Sequence, residues 1–164
     1  MFRMKGNNRQ RGIGLVEVLV GVSIISASLV GLIGAFNLYV RAGLSNTEKL
    51  QALFLAEEGL EAVRFLRDSS FGGNIVPLST ATDHYLYFEM GTWSLSTVET
   101  TTDIFTRTIV LDDVYRRTSD NDIVSVSSSD PKVLDPDARK VTVIVSWGRG
   151  TTTIITYITD LFDN

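Results

Sequence analysis

One carboxylate stands where a carboxylate is expensive. Glu17 opens a stretch, Val18–Val40, of 23 residues without a charge. A carboxylate inside a membrane costs several kcal/mol unless it is paired. Glu17 is therefore either a hydrated residue at headgroup level or a group that awaits a cation. Other chemistry is sparse. The chain has no cysteine, which excludes disulfides, thiolate zinc sites, cysteine nucleophiles and a lipidated cysteine anchor. His84 is the single histidine; at the start of an aromatic strand it reads as a packed or rim residue. There is no Gly-x-Ser-x-Gly, no phosphate loop and no His-Glu-x-x-His. Asp120-Asn121-Asp122 and the acids Asp130, Asp135 and Asp137 carry oxygens of the kind that bind calcium. They lack the Gly and terminal Glu of the EF-hand loop and read as turn-forming surface acids. Arg116-Arg117 and Arg139-Lys140 are too short for a DNA-binding stripe, and a net charge of −4 counts against a nucleic-acid partner. Tyr85, Tyr87, Phe88 and Trp93 offer an adhesive aromatic surface or sheet packing, and packing is the simpler reading. These residues point to a protein that is not an enzyme and holds no cofactor or metal.

What must position Glu17 is a helix. As a helix the uncharged run measures roughly 35 Å at ~1.5 Å per residue, enough to cross a ~30 Å hydrocarbon core. Arg3, Lys5, Arg9 and Arg11 precede it with no acid among them, which places the N-terminus inside and the remainder outside. An ordinary secretory signal has a shorter apolar stretch with its cleavage site after it. Here the run is longer, and a break near Ala35 leaves no polar cleavage region.

Arg11-Gly12-Ile13-Gly14-Leu15-Val16-Glu17 combines a basic leader ending in Gly, an apolar residue next, and Glu fifth after the Gly. With the apolar run that follows, this resembles the class III signal of type IV pilins and type II secretion pseudopilins. The resemblance implies cleavage between Gly12 and Ile13 by prepilin peptidase and N-methylation of Ile13. It also implies pairing of the Glu17 carboxylate with the amino terminus of a neighbouring subunit, which would offset its desolvation and fix vertical register. Cleavage ahead of the apolar run removes charge and keeps the anchor. Two features depart from the family pattern. Position 14 is Gly where many members carry Thr or Ser, and Gly31 and Gly34 stand where many carry a helix-kinking proline. Ser23, Ala27, Gly31 and Ala35 recur every four residues and offer a seam of small side chains for helix packing.

Beyond the run the helical period continues. Leu53, Ala56, Leu60, Val63 and Leu66 form one apolar stripe, with Glu57, Glu58, Glu61 and Arg64 opposite. Glu61–Arg64 and Arg64–Asp68 are spaced for weak ion pairs, and Asp68–Gly73 reads as a stop. Strands are expected at His84–Met90, Phe105–Leu111 and Asp122–Val126, with Ser119–Pro136 an exposed loop around the last. Val141, Val143, Val145 and Trp147 alternate with polar or outward residues. Gly148-Arg149-Gly150 reads as a turn, and Thr151–Thr159 as the return strand of a hairpin. The expected fold is α+β and pilin-like: a long N-terminal helix, transmembrane in its first half and amphipathic in its second, on an antiparallel sheet.

The expected division is a basic leader at 1–12, a transmembrane or filament-core half-helix at 13–40, an amphipathic half-helix at 41–71 and a β-sheet head at 72–164. The expected function is a structural subunit, a minor pilin of a type IV pilus or related filament. A pseudopilin of a type II secretion system is the alternative. A membrane-anchored extracytoplasmic binding module that never polymerises is the second. The minor-pilin choice rests on the tail, Lys140–Gly148 and Thr156–Leu161, which resembles V-type minor pilins and I-type pseudopilins. Implied partners are prepilin peptidase, other pilin subunits, the inner-membrane assembly machinery and, before assembly, membrane lipid. The implied location is the cytoplasmic membrane, single-pass, then a cell-surface or periplasmic filament. Replacing Gly12 with a bulky residue, as in Gly12→Val, is expected to block processing. Mass spectrometry of the N-terminus from the host checks this; a chain that still begins at Ile13 would refute the motif reading.

Overall fold

The computed structural model describes residues 14–161. A single helix, α1 (Leu15–Ser69), runs from the apolar stretch into the amphipathic one. The described chain divides into two units at Leu44/Ser45.

In the first unit every residue from Gly14 to Leu44 is exposed except half-buried Gly21. Its apolar window has a mean hydropathy of 2.3, and α1 is long and apolar enough to cross a membrane. The absence of proline lets the backbone hydrogen bonds run unbroken. Two hydroxyls in this stretch satisfy themselves on their own helix: Ser23 donates to the Leu19 carbonyl and Ser28 to the Ile24 carbonyl, both at 2.8 Å. Such back-bonding is what a hydroxyl does where water is scarce.

The second unit is an antiparallel sheet on the remainder of α1. After α1, Ser70 caps a one-turn helix, α2 (Phe71–Asn74), by accepting from the Gly73 N–H. The strands are β1 (Asp83–Glu89), β2 (Thr92–Ser96), β3 (Thr101–Thr102), β4 (Phe105–Arg117), β5 (Ile123–Val124), β6 (Lys132–Trp147) and β7 (Gly150–Thr159). The sheet order is β2-β1-β4-β6-β7, with β3 and β5 pairing on β4. The expected hairpin is β6–β7, closed across Trp147 and Gly150 by Gly148-Arg149. Val141, Val143 and Val145 are fully buried, while Thr142, Ile144 and Ser146 face the other side.

The helix meets this valine row with small residues. Ala52, Ala56, Gly59 and Val63 are buried, together with Leu60, Ala62 and Leu66. Leu53, expected in the stripe, is 37% exposed; Ala52 takes its place because a close approach of helix to sheet leaves no room for a leucine. A Cβ on Gly59 would lie 3.0 Å from Arg107 Cδ and 3.1 Å from Val143 Cγ1. The Arg107 guanidinium thus passes beneath the helix and donates to the Leu55 carbonyl at 3.0 Å and to Glu58 at 2.8 Å. Glu61–Arg64 forms at 2.6 Å, but Asp68 pairs with its neighbour Arg67 rather than with Arg64.

The region 119–136 differs from the expected loop. Its strand is shorter, only Ile123–Val124, and β6 starts at Lys132. The β4–β6 register shifts between Asp113 and Val114, whose partners are Arg139 and Asp135. Pro136 falls in the resulting bulge, where its missing N–H breaks no ladder bond. Gly59→Val should lower the stability of the chain by about 1–3 kcal/mol through overpacking. Urea unfolding of the detergent-held protein, read by tryptophan fluorescence, measures it; an unchanged midpoint would contradict the close approach.

Candidate functional site

The expected site lies at the start of α1. Gly12 and Ile13 lie outside the described residues. Glu17 is in the first turn of α1 and is exposed. Its N–H bonds the Gly14 carbonyl at 2.9 Å, and the Val18 N–H reaches the same oxygen at 3.3 Å. A carboxylate in a first turn is electrostatically favoured, because the unpaired N–H groups there carry partial positive charge. The flanking Leu15, Val16 and Val18 are exposed at 82%, 73% and 54%. The carboxylate therefore sits at the head of an exposed apolar surface.

Ser23, Ala27, Gly31 and Ala35 are all exposed on α1. At 3.6 residues per turn a four-residue repeat drifts by about 40° per step. The small residues thus form a stripe that winds around the helix, with Ser23 tied to its own backbone.

In the sheet unit the remaining candidates are structural. His84 is buried, with Nε2 2.9 Å from the Ser79 carbonyl oxygen. Phe88 and Trp93 stack tilted at 4.8 Å, and Trp93 packs on the core. Tyr87 donates its hydroxyl to the Val98 carbonyl at 2.6 Å. The basic pairs are matched to acids: Lys140 with Asp112 at 2.8 Å, Arg116 with Asp135 at 2.5 Å, and Arg139 near Asp113 at 3.8 Å. Arg117 meets Asp120 at 2.7 Å, Asp130 at 3.0 Å and Asp122 at 3.9 Å. Three of the loop acids with calcium-type oxygens, Asp120, Asp122 and Asp130, are thus gathered around the Arg117 guanidinium, while Asp135 pairs with Arg116. Among the described residues there is no group of three or more His, Asp or Glu placed to hold a metal ion.

Sequence reasoning missed the Trp147–Glu48–Arg149 contact. Trp147 donates to Glu48 at 3.2 Å, and Arg149 lies 3.7 Å from the same carboxylate. This ties the β6–β7 turn to α1. A residue separation of 99 carries no periodic signal from which it could be read.

A long apolar N-terminal helix joined to an antiparallel sheet of several strands is an α+β, pilin-like architecture. Residues 7–33 match the family model of the prokaryotic N-terminal methylation motif. The chain thus carries the class III signal of type IV pilins and pseudopilins. No curated protein and no solved structure gives a significant match. The motif implies processing by prepilin peptidase and assembly with other pilin subunits, and the apolar helix beside it suggests membrane anchoring.

The Asp120 carboxyl is held below its ordinary value of 3.8 by the Asp122 N–H and by Arg117. A depressed carboxylate contributes stability that is fully present above the unfolded value. That contribution fades as the pH falls through the lower folded value. An NMR titration of Asp120 should therefore show a midpoint under 3.8, moving up in Arg117→Gln. A midpoint at or above that value in the unaltered chain would refute the clamp.

Proposed function

We propose that this chain is a prepilin. Its mature form, from Ile13 onward, is a structural subunit of a type IV pilus or a related filament and has no enzymatic activity. One observation carries the reading: the methylation motif at 7–33 runs into the apolar first half of α1, whose residues up to Leu44 are exposed except half-buried Gly21. In this reading residues 1–12 are a leader cut off by prepilin peptidase, and Ile13 becomes the methylated N-terminus. Residues 13–40 hold the subunit in the cytoplasmic membrane with the N-terminus inside, and later lie in the filament core. Residues 41–71 carry the helix onto the sheet, and 72–164 complete the head outside. The inner-membrane assembly machinery then draws it into a cell-surface or periplasmic filament.

Glu17 is the assembly residue. In the apolar surroundings of a filament its carboxylate needs a cation, and the freed amino group of another subunit's Ile13 supplies one. The small stripe Ser23, Ala27, Gly31 and Ala35 lets neighbouring helices approach. We favour a minor pilin because the tail segments Lys140–Gly148 and Thr156–Leu161 resemble the V type; the I-type pseudopilin is the other reading of the same segments.

Glu17→Val should leave cleavage after Gly12 intact and reduce incorporation into filaments. N-terminal mass spectrometry and immunoblots of sheared filament fractions measure the two separately. Unchanged incorporation sinks the role of Glu17. An unprocessed N-terminus in the unaltered chain from its host sinks the prepilin reading and leaves a membrane-anchored binding module.

A further inference from the structure

A cavity of about 600 Å³ lies over the middle of β4, on the sheet face that turns away from α1. Two irregularities of β4 meet there. β1 leaves β4 at Val110 and β5 joins it at Tyr115, so no described strand flanks the stretch between them on that side. On the other side the β4–β6 register shifts between Asp113 and Val114. Alternate residues of an unbroken strand face opposite ways, but a bulge re-aims side chains. Asp112, Asp113, Val114 and Tyr115 all line the cavity. Ala81 bridges the gap beside β4, with its N–H donating to the Leu111 carbonyl at 2.8 Å. Ala81 also belongs to the wall and holds φ at +54°. That left-handed conformation is costly for a residue with a Cβ, and such strain gathers at ligand-contacting segments.

The floor is an ordered row. Register pairs Asp112 of β4 with Lys140 of β6, and Lys140 with Tyr157 of β7. All three line the cavity. A carboxylate, an ammonium and a phenol thus follow one another across three strands, over about 10 Å. Lys140 Nζ donates to Asp112 Oδ2 at 2.8 Å. The pair keeps further capacity, since an ammonium has three N–H donors and a carboxylate two accepting oxygens. Beside it Tyr157 and Ile155, on one face of β7, are 47% and 58% exposed and form an apolar shelf.

This combination selects among ligands. Two carboxylates against one ammonium on the wall disfavour an anion. An apolar ligand would strip water from the ion pair and return no hydrogen bond. A sugar answers every member of the row. Its adjacent hydroxyls stand about a hydrogen bond's length apart, so one can donate to Asp112 while the next accepts from Lys140. Its C–H face then rests on Tyr157. We propose that this cavity binds a neutral mono- or disaccharide, with Asp112 and Lys140 taking adjacent hydroxyls and Tyr157 the apolar face of the ring. The site lies wholly within the sheet unit and is independent of the filament reading above.

NMR of the full-length chain, labelled on its tyrosine rings and held in a detergent without a sugar headgroup, tests this. Maltose, lactose, cellobiose and N,N′-diacetylchitobiose are titrated separately into the tens of millimolar. At least one should shift the Tyr115 and Tyr157 signals with saturation, while Tyr39, Tyr85 and Tyr87 stay fixed. Tyr157→Ala and Asp112→Asn should each weaken that binding about tenfold, read on Tyr115. Unmoved Tyr85 and Tyr87 signals in the two variants report that the sheet is intact. No saturable shift with any of the four sugars overturns the proposal, and so does a shift that both variants leave unchanged. Saturation by inorganic phosphate in place of the sugars would make this an anion site and overturn it as well. None of these outcomes bears on leader cleavage or on Glu17, which are read separately.

Discussion

The head depends on one close approach. α1 presents Ala52, Ala56, Gly59 and Val63 to a strand that presents Val141, Val143 and Val145, and all are buried. Small residues on the helix let its backbone come near the sheet, and β-branched residues on the strand fill the space with few rotamers to lose. Arg107 threads the remaining gap under Gly59 and binds the Leu55 carbonyl and Glu58. A larger residue at 59 displaces a buried cation along with a methyl group. The other fastenings extend this contact outward. Glu48 holds Trp147 near the turn of the last hairpin, and Trp147 leans on Phe105 at 5.9 Å.

Polar groups divide by where their partners come from. Within the sheet unit the buried ones are answered by the chain itself: His84 at the Ser79 carbonyl, Arg139 at the Pro136 and Ala138 carbonyls. In the apolar half of α1, Ser23 and Ser28 turn back to their own helix. Glu17 cannot follow them, because a carboxylate has no proton to donate to a carbonyl. It stands exposed in the first turn among exposed valines and leucine. In the proposed filament its counter-charge comes from another chain, and this makes it an assembly residue and not a fold residue.

Legibility followed physical range. The apolar half of α1 was readable from its long uncharged run, and the amphipathic half and the β6–β7 hairpin because periodic burial writes itself along the sequence. Glu17 draws notice because a charge at the head of an apolar run is conspicuous, and its assembly role is a proposal. Leu53 misled, since helix period alone does not say how near the sheet comes; the choice of Ala52 is made by the approach at Gly59. Asp135-Pro136-Asp137 has the composition of a turn and is a bulge inside a 16-residue strand. Its place in the sheet is held by pairing with β4 and by the Asp160 N–H on the Asp137 carbonyl at 2.8 Å. The short strands β2 and β3 exist through pairing with neighbours, which no local pattern announces.

Charge and solvent together limit what can drive assembly. The whole chain carries −4, but the leader holds four basic residues and no acid. Without it, 11 basic and 19 acidic residues remain, a net −8, and residues 41–164 hold 11 and 18 of them, a net −7. Heads of like sign repel at contact, with screening over ~8 Å at physiological ionic strength. The apolar helix does not simply overcome this. In the proposed pathway its surface is already out of water in lipid before assembly, so moving it into a helical core gains little hydrophobic energy; close packing and polar pairing decide instead. In the proposed filament the Glu17 pair is one such term, because its carboxylate is worse off unpaired in lipid than paired in the core. The other must come from surfaces that are in water beforehand, where apolar burial still stabilises at ~25 cal/mol per Å². An acidic head that is to join its neighbours thus needs uncharged contact patches, and these are the places where an exposed apolar side chain has a reason to persist.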